Sequence, residues 1–185
     1  MGRPRPGRLA VPGLNRGQRK VSTEEEVEVT IKDSIKSQYY ASPEMLRQAV
    51  IRCPDSLWDD REYKNVFWHV SYHALCYTHF YLQPSEKDFV PWVKHREECR
   101  NLHKGPEPYS REEILEYLET CREQVEEQVA SLDLDAPSGF WWLPCSKLEL
   151  QFYNIRHVQQ HIGELCERLG AQGDIEVDWI LMKPD

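Results

Sequence analysis

The segment from Asn65 to Leu82, NVFWHVSYHALCYTHFYL, is apolar on nearly every side. A helix that faces water carries a polar stripe, and a helix without one is enclosed by other elements. The chain therefore has to arrange further helices around a central rod. With 185 residues it is long enough for one domain with a real core and too short for two comfortable ones.

Starts and stops for those helices are readable. Thr23 with Glu26 has the spacing of a capping box, and helical periodicity continues to about Ala41. Ser42 and Pro43 read as an N-cap followed by proline at the first helical position, opening a short helix through Ile51 that Pro54 stops. The central helix is expected from about Asp60 to Leu82, ended by Pro84. Residues 84–109 hold four prolines and read as a crossover connection with one short helix. Ser110 with Glu113 opens a charged amphipathic helix to about Leu132, its apolar stripe formed by Ile114, Leu118, Cys121, Val125 and Val129. Pro137, Gly139 and Pro144 then break the chain around Phe140, Trp141 and Trp142. Ser146 with Glu149 caps a last helix expected to end at Gly170, and a short extended piece is expected at residues 175–181. The sum is an all-α protein, an antiparallel four-helix bundle with one long crossover connection. The bundle domain spans residues 23–182. Residues 1–22 carry six basic and no acidic residues among prolines and glycines, and read as a basic disordered tail or an appended leader.

The last helix contains NIRHVQQHIGEL, with His157 and His161 four residues apart. At roughly 100° per residue that spacing stacks both imidazoles on one face, about 6 Å apart along the axis. Leu150, Asn154 and Leu165 share that side, while Glu149, Arg156, Gln160 and Glu167 point elsewhere. Two inward histidines can reach one metal ion. No glutamate follows the first in the protease pattern, so the remaining ligands have to come from another helix. On the central helix His69, His73, Cys76 and Phe80 share a stripe, and periodicity leaves the third ligand open between His69 and His73.

Here the residues resemble a known family. HVQQHIGEL is similar to the HxxxHxGQ(I/L) signature on the last helix of DinB-like (DinB/YfiT-type) bundles. HALCYTHFYL, from His73 to Leu82, resembles the histidine-led segment of that family's second long helix. The similarity extends roughly from Lys32 to Trp179 and includes CPDSLW before the second helix. It implies a four-helix bundle with one divalent metal held by three histidines, here His73, His157 and His161. Glu164 departs from the family, which often has glutamine there. This carboxylate is expected in the outer shell of the site or on the surface.

Three neutral imidazoles leave an ion its full charge and open coordination positions. They suit several ions, so Zn, Ni, Fe and Mn all remain. Relatives with this bundle include thiol-dependent transferases and isomerases. The implied function is a metal-dependent enzyme with thiol-transferase or hydrolase-type chemistry on a small-molecule substrate such as a thiol; no catalytic group beyond the ion is identified. The alternatives are a non-catalytic metal-binding or stress-response bundle, and an interaction module whose histidines are only packed. Asn154, Tyr72 and Glu164 are candidate acceptors for the ligands' second nitrogens.

Other constellations carry less. His95, Cys99 and His103 recur every four residues but span about 12 Å if helical, and read as a solvated loop. His79 is expected to pack in the bundle, Cys76 to lie near the site, and Trp141 and Trp142 to cap the core. The six cysteines form no CxxC pair and read as reduced thiols of a cytoplasmic protein. A net charge of −8 opposes sequence-independent binding to nucleic acid. No run approaches the roughly 20 apolar residues of a membrane span. A homodimer is compatible with the sequence.

Overall fold

The computed structural model describes residues 29–102 and 107–184. These residues form four long helices, α1 (Ile31–Arg52), α3 (Phe67–Leu82), α4 (Arg111–Ser131) and α5 (Lys147–Gly173), and a single turn, α2 (Asp55–Trp58). The described residues contain no strand; one isolated bridge pairs Pro137 with Ser146. The all-α expectation therefore holds. No helix among the described residues is long and apolar enough to cross a membrane.

Side-chain pairings fix the helix directions. Lys32 and Lys36 of α1 reach Ala130 and Glu126 of α4, so these two run antiparallel. Thr78 and Gln83, near the end of α3, meet Asn154 and Lys147, near the start of α5, so this pair is also antiparallel. Tyr39 meets Gln151 and Met45 meets Gln159, which makes α1 parallel to α5. Trp68 packs on Tyr109, and Leu82 clusters with Val125 and Val129, which makes α3 parallel to α4. The order is up, down, down, up. The long connection between α3 and α4 carries the chain back to the end from which α3 started, as a parallel neighbour requires.

The central helix behaves as its composition demands. Of the 16 residues of α3, 14 are buried, and the two that are not, His73 and Tyr77, lie one turn apart on the face turned to α5. The caps at Ser110 and Ser146 form as expected, the first as a full capping box. The Thr23 cap and the 1–22 segment lie outside the described residues. The first described helix is opened instead by a capping box of Thr30 with Asp33.

Four boundaries differ from the sequence reading. α1 does not break at Ser42 and Pro43 but runs through them to Arg52. Proline forfeits one helical hydrogen bond, yet Tyr39, Leu46, Ala49 and Val50 bury one continuous face on both sides of it, and that burial outweighs the loss. α3 starts at Phe67 rather than Asp60, because residues 60–65 turn while Asp59 accepts from Trp68 Nε1 at 2.7 Å. α5 passes Gly170 and ends at Gly173, with Asp174 left-handed at φ 56°. One glycine costs a helix about 1 kcal/mol, too little to stop one whose other face is buried. Residues 175–181 form no strand; they fold back on α1, where Asp178 N donates to Gln48 Oε1 at 2.9 Å and Arg52 pairs with the Asp178 carboxylate.

Two loop expectations are corrected. The crossover holds two one-turn 3-10 helices, Glu86–Asp88 and Glu97–Cys99, and is not a solvated loop around His95 and Cys99. Cys99 is fully buried, the His95 ring bonds the Tyr72 hydroxyl, and Trp92 stacks on Tyr117 at 4.6 Å. The all-round apolar α3 needs cover that α4 and α5 alone do not supply. His103 lies outside the described residues. Trp141 is 84% exposed and does not cap the core, whereas Trp142 does, stacked on Phe80 and joined by Phe140, which packs on Phe80 and Tyr81.

Candidate metal centre

α3 and α5 run antiparallel, and their facing stripes meet at mid-length. His73 from α3 and His157 and His161 from α5 converge there. Nε2 of His157 is 3.3 Å from Nε2 of His73 and 3.2 Å from Nε2 of His161, and all three ligand atoms lie within 4.8 Å of one another. A tetrahedral ion with metal–nitrogen bonds of about 2.0–2.1 Å separates its nitrogens by about 3.3 Å. The spacing fits such an ion.

Proton positions follow from the outward nitrogens. His73 Nδ1 donates to the Arg100 carbonyl at 2.9 Å, which leaves its Nε2 with a lone pair aimed into the cluster. His161 Nδ1 faces Glu164 Oε2 at 3.5 Å, the long limit of a hydrogen bond. Glu164 in turn pairs with Arg168, which donates to the Asn65 carbonyl at 2.6 Å. His157 Nδ1 is buried and has no hydrogen-bond partner among the described residues. Convergent lone pairs repel one another unless a cation or proton lies between them, so this donor set suits a metal.

Electrostatics favours the ligand form of the imidazoles. Burial pushes His73 down to about 3, with the Arg100 carbonyl opposing and His161 and His157 adding to the shift. Burial, then His161, pushes His157 down to about 4. Both are neutral near pH 7. Hydrogen bonding to His161, with Arg168 alongside, holds the Glu164 carboxyl below its usual range against the opposing effect of burial.

The surroundings separate site from packing. His69 is buried, stacks on Trp68 and bonds the Cys99 carbonyl at 2.8 Å, so it lies outside the cluster, and His73 is the α3 member. Cys76 is buried near Tyr72, Tyr117 and Cys121 and is not a member of the cluster. His79 packs between Phe89 and Tyr117 as expected. Of the three proposed outer acceptors only Glu164 serves. Asn154 donates to the Thr78 carbonyl and Tyr72 bonds His95. Glu149, Arg156, Gln160 and Glu167 are exposed, and Leu150, Asn154 and Leu165 are buried, as the helical face required.

Three contributors escaped the sequence reading. The Arg100 carbonyl comes from the crossover backbone, for which no sequence signal exists. Arg168 had one, its i,i+4 spacing from Glu164. Tyr77 edges the cluster, 4.7 Å from the His73 ring and 5.4 Å from that of His157, and donates to Asn101 Oδ1 at 3.1 Å. Its signal was the i,i+4 spacing from His73.

Neither a curated protein sequence nor a solved structure matches the chain. A family model described as the DinB superfamily matches residues 38–165, more than half of the chain and all three histidines, and the chain belongs to that superfamily.

Proposed function

We propose that His73, His157 and His161 hold one divalent ion through their Nε2 atoms, and that the protein is a metal-dependent enzyme acting on a small molecule such as a thiol. The observation that carries this reading is the convergence of three imidazoles, with His157 Nε2 at 3.2–3.3 Å from Nε2 of the other two and all three ligand atoms within 4.8 Å, and with acceptors facing the outward nitrogens of His73 and His161. When bound, such an ion supplies Lewis acidity at its open positions and lowers the pKa of water or thiol there toward neutrality. The protein's part is geometric. The Arg100 carbonyl and Glu164 hold two imidazoles in the ligating tautomer, and Tyr77 walls one side. Partial exposure of His73 and His157 leaves a way in for a ligand. Imidazole donors accept Zn, Ni, Fe or Mn. The six free cysteines accord with a reducing compartment such as the cytoplasm.

The test is metal analysis of protein purified without a histidine tag, followed by a panel of low-molecular-weight thiols with electrophilic acceptors. One equivalent of ion per chain and metal-dependent turnover support the reading. An ion without turnover leaves a binding module, and a protein that takes up no ion leaves only packed histidines.

A further inference from the structure

We infer that Glu164 and Arg168 act as one neutral unit, a positioning pair that fixes the His161 tautomer while keeping the Glu164 carboxylate out of the ion's coordination shell. The inference rests on the triad being the metal site and concerns how this chain tunes it.

Glu164 lies one turn after His161, within reach of its imidazole on the side away from the cluster. Oε2 faces His161 Nδ1 at 3.5 Å, and Oε1 is taken by Arg168 Nη2. Arg168 itself is 5% exposed, and its Nη1 donates to the Asn65 carbonyl of the α2–α3 connection at 2.6 Å. Its guanidinium also lies 4.6 Å from the Tyr63 ring centroid. The arginine is anchored to a separate part of the fold and holds one carboxylate oxygen away from the triad.

Charge explains why the two belong together. A bare carboxylate beside a three-histidine site would add a negative charge, and carboxylate oxygen is itself a metal ligand. A glutamine offers the imidazole the same acceptor without that charge. Glutamate paired with a buried arginine is equivalent, an acceptor facing His161 with no net charge. Neither partner is neutral alone. Without Glu164 the buried guanidinium stands uncompensated near the ion, and without Arg168 the carboxylate is free to swing onto it.

The experiment combines a double-mutant cycle with an NMR measurement on the full chain. Zn2+ affinity is measured for wild type, Glu164→Gln, Arg168→Met and the double variant, with Co2+ absorption reporting the coordination shell. The expected loss for Glu164→Gln alone is about 10- to 100-fold, the size of outer-shell effects on metal sites. Arg168→Met alone binds more tightly and shows an altered Co2+ spectrum as the carboxylate enters the shell. The double variant returns to within about twofold of wild type, because the coupling is between contacting residues. A Co2+ spectrum of Arg168→Met unchanged from wild type, or a double variant as weak as Glu164→Gln alone, overturns the pairing. Independently, nitrogen-15 NMR of the metal-free protein is expected to show the His161 proton on Nδ1, and a proton on Nε2 overturns the positioning role. This measurement needs neither an ion nor a variant. It still decides if Arg168→Met fails to fold, and it separates failure of the pair from failure of the metal reading, which would show as no uptake by wild type.

Discussion

The Nε2 atoms of His73 and His157 stand 3.3 Å apart although the two residues are 84 positions apart in the chain. Two inward-facing imidazole nitrogens this close need a proton or a cation between them, and an ion bound only by the folded state must stabilise it. At free ion 1,000-fold above Kd the gain is about 4 kcal/mol. For a domain of this size that is roughly 10 °C in Tm. Chelation is therefore expected to lower Tm by about that amount, reversed by adding ion. His157→Ala combined with His161→Ala should abolish uptake and leave most of the helical circular dichroism. A double variant that still binds one equivalent would show that the ligands lie elsewhere.

Lys147 is a buried amine at the first position of α5, and its Nζ donates to the carbonyls of Gln83 at 3.0 Å, Pro84 at 2.8 Å and Ser138. It ties the end of α3 to the loop before α5. Lys147→Met keeps the bulk and strands three carbonyls. The expected cost is about 3 kcal/mol, read as a lower midpoint in urea at an unchanged m value.

Gly139 has φ +84°, and a Cβ there would meet the Pro84 carbonyl oxygen at 2.2 Å and Ser85 Cα at 2.8 Å. All three atoms involved are backbone or attached directly to it, so nothing flexible yields. Gly139→Ala is expected to destabilise by about 2 kcal/mol or more. A neutral result in thermal melts would mean that the 137–146 loop rearranges freely.

His79 is not in the triad, yet burial, then the proximity of His95, pushes its imidazole down to about 4. Above pH 6.5 the ring is neutral folded and unfolded, so its effect on stability is constant. Below 6.5 the unfolded chain takes up a proton that the folded ring refuses, and stability falls until the pH reaches about 4. The loss is about 1–3 kcal/mol. NMR titration of the His79 ring should give a midpoint well under 6.5. The difference in urea stability between wild type and His79→Gln should shrink as pH drops from 7 to 4.

The helical class, the caps at Ser110 and Ser146, the enclosure of α3 and the inward face of His157 and His161 were all legible in the residues. Each is a local matter. Capping depends on side chains three positions apart, and facing depends on a fixed 100° rotation per residue. The family signature was legible for the same reason, since it lies on single helices.

Only the tertiary structure decided between His69 and His73. Both share a stripe, and what separates them is which turn of α3 lies opposite His157 once two antiparallel rods have settled their register. It also decided that α1 runs through Pro43, because the energy that holds that helix comes from burial against α4 and α5 and not from its own hydrogen bonds. The Arg100 carbonyl beside His73 was beyond any reading of sequence, since every residue carries the same carbonyl and only the path of the crossover brings this one to the site.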